Sequence, residues 1–96
     1  MGNPGDKNIR EEGNPLNPVT KRVRSCTKKA ITGVRMLRKR GSQMSEAERN
    51  GLKQAVENQV LRHNTEAEKH RLGRTMTFQD SRFGLTIESG GVKREL

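Results

Sequence analysis

Residues 18–41 read PVTKRVRSCTKKAITGVRMLRKRG, and the period of this stretch decides the fold. Val19, Val23, Cys26, Ala30, Val34 and Leu37 recur at spacings of 4, 3, 4, 4 and 3. At about 100° per residue they fall within about 80° of one another on a helical wheel. Lys21, Arg24, Lys28, Arg35 and Lys39 gather on the opposite side, inside an arc of about 60°. The stretch predicts an amphipathic helix over about 18–40, split into a narrow apolar seam and a basic spine. Asn17 is a good N-cap, and Pro18 suits the first helical position, where its missing N–H costs nothing. Gly41 reads as the C-terminal cap. Gly33 weakens the helix by about 1 kcal/mol relative to Ala; it borders the seam, so close approach of a partner backbone would explain it.

The same stretch holds Lys21, Arg22, Arg24, Lys28, Lys29, Arg35, Arg38, Lys39 and Arg40 and no acidic residue. The formal net charge of the whole chain is +9. Residues 1–17 contribute −1, residues 42–73 nothing and residues 74–96 +1, so the excess sits in this one helix. Concentrated charge points to a binding surface for a polyanion, whereas diffuse charge serves solubility.

Working outward, residues 1–17 carry three Gly, four Asn and two Pro, and read as a disordered arm. Ser45-Glu46-Ala47-Glu48 has the form of a capping box and starts a second helix over about 46–72. Leu52, Val56, Val60 and His63 form its apolar side. Thr65-Glu66-Ala67-Glu68 repeats the capping-box form, so a break near 64 competes with one continuous helix stopped by Gly73. The period then changes to two. Met76 and Phe78, and Phe83, Leu85 and Ile87, alternate with polar residues or Gly around a turn at Gln79–Arg82, giving a β-hairpin over about 75–88. Gly90-Gly91 opens a flexible tail at 89–96. The expected fold is mainly α: an arm at 1–17, one small domain at 18–88 and that tail.

Composition sets limits on function. Apolar residues make up 28% of the 96, with two Phe and no Trp or Tyr, which leaves a thin core. Such a core rarely supplies more than about 3–5 kcal/mol, so help from oligomerisation or a ligand is expected, and the seam is the expected face of a homodimer. One cysteine, Cys26, excludes an internal disulfide. No apolar run suggests a signal peptide or a membrane span, and an intracellular protein without a membrane partner is expected. His63 and His70 lie two turns apart, too far to chelate one metal together as an i, i+4 pair could. Cys26 falls in the seam, where a thiol behaves as a small apolar group. No Gly-rich phosphate loop is present. The expectation is a protein that is not an enzyme and holds neither metal nor cofactor.

Binding is the better reading. A helix of 23 residues is about 34 Å long at about 1.5 Å per residue, roughly one duplex turn. Its five spine cations could meet successive phosphates with the seam facing away. Such contacts position a protein and carry little sequence information. Scarce aromatics argue against stacking on single strands, and no helix-turn-helix signature appears. The expected partner is duplex nucleic acid, RNA favoured over DNA. An acidic protein surface is the alternative partner, and a DNA-binding transcriptional regulator the alternative within the nucleic-acid class.

A basic amphipathic helix, then Arg40-Gly41-Ser42-Gln43-Met44-Ser45-Glu46, then a second charged helix, resembles the layout of the cucumovirus silencing suppressors. The likeness covers about a third of the chain and rests on basic residues and one loop. It implies duplex-RNA binding by a dimer or tetramer. The expected hairpin has no counterpart in that layout.

Overall fold

A computed structural model describes residues 17–96, and the arm expected at 1–17 lies outside them save for Asn17. Helix α1 spans Pro18–Arg40 and α2 spans Glu46–Lys69. Three antiparallel strands follow in sequential order: β1 Arg74–Gln79, β2 Gly84–Ser89 and β3 Val92–Glu95. The protein is mainly helical, with its sheet at the C-terminus.

Local signals fix both helix starts. Asn17 accepts the Thr20 N–H at 2.8 Å, with Pro18 at the first helical position. The capping box closes from both sides: Ser45 Oγ accepts the Glu48 N–H at 3.1 Å, and Glu48 Oε1 accepts the Ser45 N–H at 2.9 Å. Both exposed amides are thereby satisfied.

The helix ends differ from expectation. Gly41 keeps a right-handed helical conformation and continues into a 3-10 turn at Gly41–Gln43. It is buried, and a Cβ there would meet the Phe83 ring at 3.5 Å. The second capping-box sequence, Thr65 to Glu68, leaves α2 unbroken. The helix stops at Lys69, earlier than 72, because Arg71 takes a positive φ of 54°. The Leu72 N–H then reaches Ala67 O and the Arg71 N–H reaches Glu68 O, a Schellman closure without glycine at its left-handed position. Turning there lets β1 run back over α2.

The seam is covered within the chain. Val23, Cys26, Ala30, Val34 and Leu37 are buried, and Val19 at the helix start is half-buried. Ala30, Val34 and Leu37 meet Val56 of α2 and Met76, Leu85 and Ile87 of the sheet in one core. Ala30, Val34 and Leu37 of the expected oligomer seam are thus covered within one chain by α2 and the sheet. Gly33 does mark a close approach, but to α2; a Cβ there would lie 2.5 Å from Val56 Cγ2.

The hairpin forms with Met76 opposite Ile87 and Phe78 opposite Leu85. Phe83 belongs to its connection, with φ 53°, and the turn lies one residue later than expected. The flexible tail expected at 89–96 is also corrected. Gly90 and Gly91 take φ of 59° and 82°, and Ser89 pairs with Val92 across them. Two residues with positive φ match the right-handed twist of flanking strands, so Gly-Gly makes a hairpin turn. The Leu96 N–H donates to Leu85 O at 2.8 Å beyond the strand.

Asn64 joins α2 to the β1 edge as a strand would. Its Nδ2 donates to Met76 O and its Oδ1 accepts the Met76 N–H, both at 2.8 Å. Asn64→Ala leaves both Met76 groups short of a partner and is expected to cost about 2–4 kcal/mol. Urea denaturation measures the loss; a change below about 0.5 kcal/mol, the size of an ordinary surface substitution, would show that the edge needs no such clasp.

Candidate nucleic-acid interface

Once the seam is buried, α1 has one long side left for solvent. Lys21, Arg24, Lys28, Arg35 and Lys39 all lie exposed on it, opposite the core. From Lys21 to Lys39 the row runs about 27 Å at about 1.5 Å per residue. Among the described residues none of the five enters an ion pair. Basic residues in the last turn, Arg38, Lys39 and Arg40, also suit the negative end of the helix dipole.

The remaining four cations divide. Lys29 and Arg40 are exposed. Arg22 turns to α2, where its Nη2 and Nε donate to Glu66 Oε1 at 2.9 and 3.1 Å. This bond holds the Glu66 carboxyl below its ordinary value of 4.5. Arg38 turns to the sheet: Nε donates to Phe83 O at 2.9 Å and Nη1 to Leu96 O at 3.2 Å. Arg38 therefore fastens the hairpin turn and the chain end to α1. Of the nine candidate contacts, these two already have structural work.

Charge density alone missed Arg74. It stands at the start of β1, outside the basic run, but the fold brings it beside Arg24 and Lys28 across a groove. The signal could not come from periodicity, because it depends on β1 returning over the helices.

The two histidines stand in different settings. His63 is fully buried, with Nδ1 2.9 Å from Asn64 Oδ1 and Nε2 accepting Arg74 Nε–H at 3.1 Å. His70 is the C-cap of α2, 3.7 Å from Glu66. Among the described residues, no three His, Cys, Asp or Glu side chains converge as a metal site would require. No helix there is long and apolar enough to cross a membrane.

Burial lowers the His63 pKa below 6.5, and the Arg74 charge lowers it further, while the Asn64 bond opposes both. Above about pH 6.5 the group is neutral folded and unfolded. Below it, the unfolded chain takes a proton that the folded chain resists, so stability declines as pH falls through the lowered value. The melting temperature is expected to drop between pH 7 and 5, with a smaller drop in His63→Gln. Equal drops would remove His63 as the cause.

The chain matches no family model, no curated protein and no solved structure.

Proposed function

We propose that this protein binds duplex nucleic acid, RNA in preference to DNA, by laying the exposed basic side of α1 along the phosphate backbone, and that it regulates the duplex by occupying it. The supporting observation is the row of Lys21, Arg24, Lys28, Arg35 and Lys39 on a helix whose other side is anchored in the core. A helix so anchored presents its cations without ordering a flexible segment on binding, a cost that disordered basic tails carry. One chain is enough to present the row.

The preference for RNA rests on what the row lacks. Thr20, Ser25, Thr27 and Thr32 are the uncharged polar residues of α1, with no Asn or Gln inside it. Backbone and shape recognition is how proteins engage an A-form duplex, whose major groove admits few side chains. Titration against duplex RNA, duplex DNA, single strands and heparin at two salt concentrations tests the reading. Duplex RNA is expected to bind tightest, with little dependence on sequence. Saturable binding to one acidic protein at physiological salt, with only weak binding to duplexes, would assign the surface to a protein partner.

A further inference from the structure

We propose that the groove between α1 and β1 is a phosphoryl-binding subsite anchored by Arg74, seating one backbone phosphodiester of the bound duplex; this rests on the duplex-binding reading above. The groove has a volume of about 510 Å³. Arg24 and Lys28 line it from α1 and Arg74 from β1, with the Thr20 and Ser89 hydroxyls beside them. Val23, Thr27 and Leu72 complete its walls, and among the described residues no carboxylate lines it. Three cations facing one concavity repel one another, and an anion between them relieves that repulsion.

The decisive feature is how Arg74 is held. Asn64 Oδ1 accepts the Met76 N–H, which fixes the orientation of the Asn64 amide. The same oxygen cannot donate, so His63 Nδ1 carries the proton toward it. Nε2 is then a bare acceptor, and it takes the Arg74 Nε–H at 3.1 Å. A buried carboxylate at this place would neutralise Arg74. The neutral imidazole positions the guanidinium and leaves its full charge. The terminal nitrogens of Arg74 make no hydrogen bond among the described residues, and a guanidinium so fixed suits two parallel bonds to phosphate oxygens.

The test uses the full chain in two arms. In the first, NMR follows backbone amides while inorganic phosphate is added to the unaltered protein. Shifts are expected at Thr20, Lys28, Arg74 and Ser89, and not along Arg35 and Lys39. In the second, duplex-RNA affinity is compared for Arg74→Gln, Arg74→Lys and Lys39→Gln, each checked for folding by circular dichroism. Arg74→Gln is expected to weaken binding about tenfold, the order of one hydrogen bond to a charged group. Arg74→Lys should recover part of that, and Lys39→Gln should cost less than Arg74→Gln. Shifts at the groove with no duplex binding would keep the subsite for a free phosphorylated ligand and overturn the duplex reading. Phosphate shifts spread evenly over α1, or a loss from Arg74→Gln no larger than from Lys39→Gln, would overturn the subsite and leave the duplex reading standing.

Discussion

Substituting aspartate for Val34 is expected to unfold the chain at 25 °C at every protein concentration. Val34 is 1% exposed and lies among Ala30, Leu37, Val56, Met76, Leu85 and Ile87, with no basic group among them. An ionised carboxylate there has no partner and no water, and even after relaxation such burial costs several kcal/mol. A core of this size supplies about 3–5 kcal/mol in all, so one substitution exceeds it. Far-ultraviolet circular dichroism should lose most of its helical signal. The independence from concentration matters as much as the loss. If the seam joined two chains, the variant would instead appear as a folded monomer that fails to associate. Sedimentation showing that species would return the seam to an oligomer face.

Some of these structural roles are local in the sequence and others are not. Asn17-Pro18 and Ser45 to Glu48 act through atoms three residues apart, so their caps are readable directly. The apolar period of α1 is likewise a local property and marks the buried side correctly. Which surface covers that side is not local, and a dimer partner and an adjoining helix leave the same pattern in the sequence. Arg22 and Arg38 illustrate the loss further. Their partners lie 44, 45 and 58 residues away, and nothing in the basic run separates them from Arg24 or Arg35. β3 was hidden for another reason. Val92 to Glu95 are all exposed, so the strand carries no apolar alternation, and its evidence is reduced to the Gly-Gly turn. His63 reads as an apolar-face residue, and its grip on Arg74 exists only once β1 has folded back.

Those structural roles sharpen the expected response to salt. Each Lys or Arg that neutralises a phosphate releases counterions, so log K falls linearly with log salt by about 0.9 per contact on B-DNA. Lys21, Arg24, Lys28, Arg35 and Lys39 acting together contribute about −4 to −5 to the slope per protomer, before any contact from Arg74. Raising salt from about 50 to 200 mM should then weaken binding by about 500-fold on that rule. Arg35→Ala or Lys28→Ala should reduce the magnitude of the slope by about 1 and weaken all duplex sequences alike. Arg38→Ala should behave differently, although it lies in the same basic run. It removes the bonds to Phe83 O and Leu96 O, so its main effect is a lower melting temperature with the slope nearly kept. Arg22→Ala should likewise act through the lost Glu66 pair. A slope near zero would sink the nucleic-acid reading. Equal changes of slope from Arg35→Ala and Arg38→Ala would show that charge anywhere on α1 suffices, and that the exposed row is not the surface that meets the phosphates.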